Sequence, residues 1–276
     1  MRTSHPISVV AAGLSLLVLA ACHKSEPEPA PAPARPAARA AAAAEKFDNG
    51  EELIVAMHDR YASKWYRTMT FTQKTSRLTP DGKWNVQTWY EALRIPGKLR
   101  IDFDPVSAGN GVLYARDSQF VVQNGRAVSG APGINPLLLL GFDVYGTSPA
   151  HAASHLRKEG FDLSKVHAAT FEGRPMLVVG ANKGDFTKKQ FWVDADRLVF
   201  VRLLEPTARD ASKMQDIRFV NYVKRGDAWV APRVEIHADG KLVFSEDYSD
   251  IRTDVGLDDA LFDPTKWKTA RHWTMQ

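Results

Sequence analysis

His151 and His155 are the two side chains whose spacing could do metal chemistry. Residues four positions apart lie on one face of a helix, where two imidazole rings can bind the same Zn²⁺ ion. Such a site also needs a third ligand, which His167 or Glu159 could supply. Histidines on exposed helix faces are far commoner than metal sites, so we predict no metal site from this spacing alone.

No sequence motif for catalysis accompanies the histidine pair. The chain has no H-E-x-x-H or G-x-S-x-G pattern, no P-loop and no dinucleotide-binding glycine pattern. Asp194 and Asp196 lie between two apolar runs and are interpreted as part of a hairpin turn, not of a calcium loop. The formal net charge is +4 with scattered basic residues, so no nucleic-acid partner is predicted. We therefore expect a protein that is not an enzyme and uses no cofactor.

Cys22, the single cysteine of the 276-residue chain, ends a sequence typical of an export signal. Arg2 precedes an apolar run over residues 7–21, which is shorter than the roughly 20 residues that cross a bilayer. The run ends in Leu19-Ala20-Ala21-Cys22, which resembles the lipobox of bacterial lipoproteins. The resemblance implies cleavage before Cys22 and attachment of acyl chains such as palmitate to that cysteine. The folded part is then expected outside the cytoplasm. Because His23 stands where an Asp marks retention in the inner membrane, the outer membrane is implied.

The composition divides the chain into three parts. Residues 1–21 form the predicted signal peptide, and residues 22–45 form a linker rich in Pro and Ala. Alternating prolines favour an extended polyproline II conformation, which makes a semi-rigid spacer. Residues 46–276 contain no further linker and are predicted to form one domain.

That domain is predicted to be mainly β, with a few helices. Asn49 is a candidate N-cap for a helix that carries Leu53, Met57 and Tyr61 on one face. Residues 99–103 then alternate between apolar and charged side chains, which indicates a half-buried strand. Between later apolar runs lie turn signals at Pro80-Asp81-Gly82, Pro96-Gly97, Asn124-Gly125, Glu172-Gly173-Arg174, Arg225-Gly226-Asp227 and Asp239-Gly240. About ten or eleven strands in meander order predict a large, curved antiparallel sheet.

Residues 137–142, Leu-Leu-Leu-Leu-Gly-Phe, interrupt the strand pattern. Four consecutive leucines cannot all face one core from an amphipathic helix. The segment is therefore either a buried plug helix or a lid over an apolar pocket. A second helix is predicted over residues 149–158.

Several segments, in their order along the chain, resemble the superfamily of LolA-type lipoprotein carriers and LolB-type receptors. The similarity is greatest to the group called outer-membrane lipoprotein-sorting proteins. The matching segments are residues 94–103, Pro105, residues 112–113, 119–122, 137–142, 160–164, 185–202 and 261–264. In the carrier, an Arg directly before the proline helps to hold the lid shut. This chain has Ile95 before Pro96 and Arg94 one position earlier, which places Arg94 on the opposite face of the strand.

The resemblance implies an incomplete antiparallel barrel, or half-barrel, whose concave face is covered by helices and encloses an apolar cavity for acyl chains. The predicted cavity residues are Trp89, Phe103, Leu137, Leu138, Leu139, Leu140, Phe142 and Phe191. The implied function is that of a membrane-anchored binding protein for an acyl chain or another apolar ligand, in lipoprotein sorting or acceptance at the outer membrane. Two alternatives remain: an envelope sensor that docks on a protein partner not named by the sequence, and a hydrolase acting on envelope glycolipid, which needs acid and base groups in the cavity.

Replacing the predicted anchor residue tests the lipobox interpretation. Cys22→Ser should yield an uncleaved or soluble protein, because the acyl chains that hold the mature protein to a membrane have no attachment point. Membrane fractionation and the mass of the N-terminus measure both effects. A processed Cys22→Ser protein that still fractionates with membranes would contradict the interpretation.

Overall fold

A computed structural model describes residues 35–207 and 210–275. The predicted signal peptide, Cys22 and the first part of the predicted linker lie outside the described residues. No helix within the described ranges is long and apolar enough to cross a bilayer.

Antiparallel strands dominate the described part of the chain. Thirteen of them form one sheet, and the other two form a separate hairpin. The strands are β1 Thr68–Leu78, β2 Trp84–Arg94, β3 Lys98–Phe103, β4 Gly111–Ala115, β5 Ser118–Gln123, β6 Arg126–Pro132, β7 Val166–Phe171, β8 Arg174–Val179, β9 Gln190–Asp194, β10 Phe200–Pro206, β11 Met214–Val220, β12 Val223–Arg225, β13 Ala228–Val230, β14 Arg233–Ala238 and β15 Lys241–Thr253.

The large sheet runs in the order β6-β5-β4-β3-β2-β1-β15-β14-β11-β10-β9-β8-β7. Its neighbours follow one another along the chain except where β15 returns to pair with β1 and where the β12–β13 hairpin leaves the sheet between β11 and β14. Because the order ends at β6 and β7 without joining them, the sheet is curved but open. The predicted half-barrel fold is confirmed. The sheet has two or three strands more than the ten or eleven expected, since several short strands give little sequence signal.

Hairpin turns account for the strand order within each half of the sheet. Asn124-Gly125, Glu172-Gly173 and Asp239-Gly240 each have positive φ at both residues. That conformation is typical of the type I′ turn, which joins antiparallel strands with their natural twist. Each predicted turn signal lies between two consecutive strands. The Asp194–Asp196 segment also lies between two strands, β9 and β10, as expected.

Four α-helices lie in the described ranges, two before the sheet and two within the chain between β6 and β7. They are α1 Pro36–Ala44, α2 Gly50–Tyr61, α3 Pro136–Gly141 and α4 Pro149–Lys158. Asn49 caps α2, because its side chain accepts hydrogen bonds from the backbone N–H groups of Glu51 and Glu52. Both predicted helices, at residues 50–61 and 149–158, are confirmed.

Helix α1 lies within the segment predicted to be a linker. Ala40 is 1% exposed, and Ala43 and Ala44 pack against the core. Pro36 lies in the first turn, where backbone N–H groups make no hydrogen bond within the helix, so proline is tolerated there. The alanines that follow have a high helix propensity and small side chains, which lets the helix pack closely against its neighbours. The folded part of the chain therefore begins before residue 46, and the predicted linker overlaps it by residues 36–44.

The inner face of the sheet carries the main core. Side chains of α2, α3 and α4, such as Leu53, Leu139 and Leu156, pack there against strand residues such as Leu93 and Leu203. All five are 1% exposed or less. The helices thus cover one face of the sheet, as the half-barrel fold requires.

The outer face of the sheet is covered as well, over strands β2 to β5. Leu261, Phe262 and Trp267 of the C-terminal segment pack there against Ala92 and Leu113. Strand β3 is therefore covered on both faces, and the expectation of a half-buried strand with solvated charges is wrong. A period-two pattern in the sequence separates the two faces of a strand. It does not show whether a segment distant in sequence covers the face that carries the charged residues.

Arg100 and Asp102 of β3 lie under this C-terminal segment, 3% and 1% exposed. Arg100 donates two hydrogen bonds of 2.8 Å to the Asp102 carboxylate, and its guanidinium lies 3.8 Å from the centre of the Trp267 ring. His272 Nε2 lies 3.2 Å from Asp102 Oδ2. Burial acts to raise the pKa of Asp102, but the hydrogen bonds from His272 and Arg100 outweigh it and hold that pKa below its usual range. These contacts attach the C-terminal segment to the sheet.

Removing the carboxylate from this buried network should destabilise the fold. Asp102→Ala leaves Arg100 buried without its charge partner, which costs about 3–5 kcal/mol of unfolding free energy. The double variant Arg100→Met, Asp102→Leu should recover most of that loss, since it leaves no uncompensated charge. Urea unfolding measures both, with the exposed Asp227→Ala as a matched control. A loss for Asp102→Ala no larger than for the control would contradict this account.

Candidate functional site

A cavity of about 180 Å³ lies between the inner face of the sheet and helix α3. It is comparable to an engineered protein cavity of about 150 Å³ that binds benzene. Side chains of strands β1, β2, β3, β4, β11, β14 and β15 form its floor, and α3 covers it. Its lining residues are Phe71, Trp89, Glu91, Leu93, Leu99, Ile101, Tyr114, Asn135, Leu137, Leu138, Phe142, Phe219, Val234, Glu246 and Tyr248.

Four of the eight residues predicted to form the cavity do line it. They are Trp89 from β2, Leu137 and Leu138 from α3, and Phe142 at the end of α3. Their side chains are apolar, as a site for an apolar ligand requires.

The other four predicted residues lie outside the lining. Phe103 packs against Trp89, with ring centres 4.9 Å apart. Leu139 and Leu140 are 1% and 0% exposed in the core. Phe191 is fully buried on β9 and packs against Phe161. One side of the leucine segment therefore lines the cavity and the other side packs in the core. The segment is both a buried helix and a cover over an apolar cavity, which were the two alternatives given by the sequence.

Helix α3 is fixed at both ends. At its start, Pro136 occupies the first position and the Asn135 side chain accepts a hydrogen bond from Leu137 N at 2.9 Å. At its end, Gly141 lies so close to Phe219 that an added Cβ would come within 2.7 Å of the ring. A larger residue at position 141 would push α3 away from β11, so this glycine sets how closely the helix covers the cavity.

Asp143 rather than Arg94 connects the covering segment to the turn after Pro96. Asp143 Oδ1 accepts a hydrogen bond from Gly97 N at 2.9 Å. Burial raises the pKa of Asp143 to about 7, against the opposing effect of that hydrogen bond. Arg94 lies on the outer face, where it pairs with Asp259 of the C-terminal segment. Arg94 therefore lies on the outer face, and the contact between the covering segment and this turn is the hydrogen bond from Gly97 N to Asp143.

Two carboxyl groups, of Glu91 and Glu246, interrupt the apolar lining of the cavity. Glu91 on β2 is 4% exposed, and Glu246 on β15 is half-buried. Tyr248 donates a hydrogen bond of 2.8 Å to Glu246. Gln73 on β1, the strand between β2 and β15, is fully buried, and its Nε2 donates a hydrogen bond of 2.8 Å to Thr75. The floor of the cavity thus contains a small polar cluster.

The environment of this cluster favours the uncharged carboxyl form. Burial, and next the proximity of Glu246, raise the pKa of Glu91 well above its usual range. Burial also raises the pKa of Glu246 to about 7, although the hydrogen bond from Tyr248 and the polar side chain of Gln73 act in the opposite direction. Near neutral pH a protonated carboxyl can donate a hydrogen bond as well as accept one. Its ionised form can pair with a cation.

Sequence reasoning missed both glutamates, although a signal was present. Glu91 stands in phase with Trp89 and Leu93, and Glu246 with Tyr248, so each charge falls on the apolar side of an alternating strand. A charged residue at an inward position is uncommon, because burial without a partner is unfavourable. The presence of a glutamate at an inward-facing strand position was therefore the sequence signal for a polar group in the cavity.

The pH dependence of stability should reveal the two raised pKa values. A carboxyl whose folded pKa lies above its unfolded value near 4.3 stabilises the fold fully at lower pH and loses that stability as pH rises toward 7. Glu246→Gln cannot ionise, so its advantage over wild type should be small at pH 4 and reach roughly 1–3 kcal/mol at pH 8. Glu91→Gln should show the same sign.

Urea unfolding at several pH values measures this effect, and Glu45→Gln, at an exposed position, is the matched control. Asp143 titrates near pH 7 in every variant, so its contribution cancels in the difference from wild type. If the difference in unfolding free energy between each Gln variant and wild type does not grow between pH 4 and pH 8, the two carboxyls are solvated and this account is wrong.

Comparison with known proteins identifies the fold. No protein-family model and no curated protein sequence matches the chain. Among solved structures, a DUF1329 family protein from Desulfovibrio piger matches with a TM-score of 0.52 and 18% identity, over 79% of this chain and 98% of that one. A putative outer membrane lipoprotein-sorting protein domain from Vibrio parahaemolyticus matches with a TM-score of 0.52 and 17% identity, over 82% and 99%. The chain therefore shares the fold of these two proteins, and the half-barrel fold that the resemblance implied is confirmed.

Proposed function

We propose that this chain is a non-enzymatic, membrane-anchored protein that binds an acyl chain or another apolar ligand in the cavity beneath α3. The observation that carries the proposal is the cavity itself, where mostly apolar side chains of seven strands and of the covering helix enclose an open volume. Cores are normally packed without voids of this size, because empty apolar space forfeits dispersion contacts. A ligand that fills the volume restores those contacts.

The size of the cavity limits what binds without rearrangement. A volume near 180 Å³ accepts a short apolar segment. A whole acyl chain requires α3 to move away from the sheet, and the contacts that resist such a movement are the Asp143–Gly97 hydrogen bond and the packing of Gly141 on Phe219. Each methylene that leaves water contributes about 0.8 kcal/mol, so a long chain can drive this opening.

The proposed location is the periplasm, with an anchor through Cys22 in the outer membrane. The lipobox-like sequence before Cys22 supports the anchor, and His23 supports the outer membrane. One of the structurally similar proteins is named for outer membrane lipoprotein sorting. We extend that role to this chain as part of the proposal: it receives or sorts lipoproteins by holding their acyl chains. Because a lipid anchor keeps the protein at one membrane, it favours the role of a stationary receptor over that of a soluble carrier.

A hydrolase that acts on envelope glycolipid is the second candidate, and one observation favours it. It needs acid and base groups in the cavity, and Glu91 and Glu246 are two carboxyls that line it. Pairs of carboxyls flank the scissile bond in most glycosidases. If this candidate is correct, Glu91→Gln and Glu246→Gln each abolish release of sugar from an envelope glycolipid extract. If the binding proposal is correct, wild type shows no such release.

Filling the cavity should remove ligand binding while preserving the fold. Val234→Phe places a larger side chain into the open volume, which displaces about two methylenes of ligand and weakens binding of a fluorescent fatty acid at least tenfold. Leu137→Phe fills the cavity from the helix side. The matched control is Val86→Phe, since Val86 is 52% exposed on β2 outside the cavity. Fluorescence titration measures affinity, and circular dichroism checks folding. Wild-type affinity in both folded variants would exclude this cavity as the ligand site.

A further inference from the structure

Asp117 meets the histidine pair of α4 in the folded protein. One ligand atom from each of Asp117, His151 and His155 lies within 4.8 Å of the other two. Neither third ligand suggested by the sequence belongs to this group, and Glu159 instead pairs with Lys189 at 3.5 Å. Tertiary structure thus supplies the carboxylate from a turn more than thirty residues away along the chain.

Helix α4 holds the two imidazoles on one exposed face. The Ser148 side chain caps the helix by accepting a hydrogen bond from His151 N. Ala152 and Leu156, both fully buried, fix the opposite face against the core. The two imidazole rings consequently lie together, with centres 4.4 Å apart.

The turn between β4 and β5 presents Asp117 with a defined backbone. Arg116 and Asp117 both have positive φ, 54° and 52°, and they form the two-residue loop between the paired residues Ala115 and Ser118. Gly133 N donates a hydrogen bond of 2.8 Å to the Asp117 carbonyl. The backbone at Asp117 is therefore held by the strand pairing on either side of the turn and by the hydrogen bond from Gly133, which fixes the point from which the carboxylate extends.

We propose that Asp117, His151 and His155 bind a divalent transition-metal ion, of which Zn²⁺ is the best fit. Zinc bound at about 2.1 Å in tetrahedral geometry places its ligand atoms roughly 3.4 Å apart. Side chains with ligand atoms within 4.8 Å of one another reach that geometry by small rotations. Two imidazoles select zinc or its transition-metal neighbours over calcium and magnesium, which prefer oxygen ligands.

The environment of the histidines suits metal binding. A neutral imidazole offers the lone pair that a metal needs. Asp117 and His151 are exposed, so water completes the coordination.

A metal at this position connects the covering helices to the sheet. Helix α4 packs with α2 over the inner face, and Asp117 belongs to the β4–β5 hairpin of the sheet. The ion would therefore join the two layers that enclose the cavity. This role concerns how firmly the covering layer is held, and it does not depend on which ligand the cavity binds.

Zinc titration of the full chain tests the site. The protein is extracted from membranes in detergent without a histidine tag and is freed of metal by chelation. Calorimetry should show one zinc ion per chain, with affinity reduced at least tenfold in Asp117→Asn, His151→Gln and His155→Gln. Glu159→Gln and His58→Gln are matched controls, one beside α4 and one on α2, and should bind as wild type does. X-ray absorption should show two imidazole nitrogens at about 2.0–2.1 Å.

Thermal unfolding provides a second readout. Zinc at 100-fold above its Kd should raise the Tm of wild type by about 5–10 °C, because it binds the folded state. The three ligand variants should keep the wild-type Tm without zinc, since their side chains are at the surface, and lose the increase. The proposal is wrong if wild type binds no zinc, or if Asp117→Asn binds it with unchanged affinity.

Discussion

The antiparallel pairing of β1 with β15 is the contact on which the rest of the structure depends. These strands lie in the middle of the sheet, so they join a half built from β2 to β6 to a half built from β7 to β11 and β14. Each half can be assembled from local hairpins, but neither half alone encloses anything. The pairing places Gln73 between Trp89 on one side and Tyr248 on the other. The floor of the cavity therefore exists only when the two ends of the domain meet.

Coverage on both faces explains why this sheet tolerates charged residues in its interior. The helices bury the inner face, and the C-terminal segment buries the outer face over β2 to β5. On the outer face, Arg100 and Asp102 form a buried ion pair, and His272 adds a contact to the Asp102 carboxylate. On the inner face, Glu91 forms no ion pair with any residue of the described ranges, and its burial favours the neutral carboxyl form. The two faces thus use opposite solutions to the same desolvation problem, pairing in one case and protonation in the other.

The cavity combines features that suit an amphiphilic ligand. Most of its lining is aliphatic or aromatic, which favours apolar groups without a directional requirement. The carboxyl cluster of Glu91 and Glu246 adds one point at which a polar group of the ligand can be oriented. Helix α3 contributes to both the wall and the core, so a movement that admits a longer ligand disturbs core packing as well. Binding and local stability are therefore coupled through a single short helix.

Local physical chemistry made much of this structure predictable from sequence. The Asn49 cap and the apolar spacing after it located α2, glycine turns located the hairpins, and the leucine run located the segment over the cavity. Trp89, Leu137, Leu138 and Phe142 line that cavity, whereas Phe103, Leu139, Leu140 and Phe191 were assigned to it but lie outside its lining. A period-two or helical pattern separates faces without showing where packing leaves space. The meeting of Asp117 with the histidines, the burial of Arg100 and the joint placement of Glu91 and Glu246 in the cavity were decided by tertiary structure alone. Each joins residues more than thirty positions apart, and which distant segments meet depends on the free energy of the whole fold, not on any local preference.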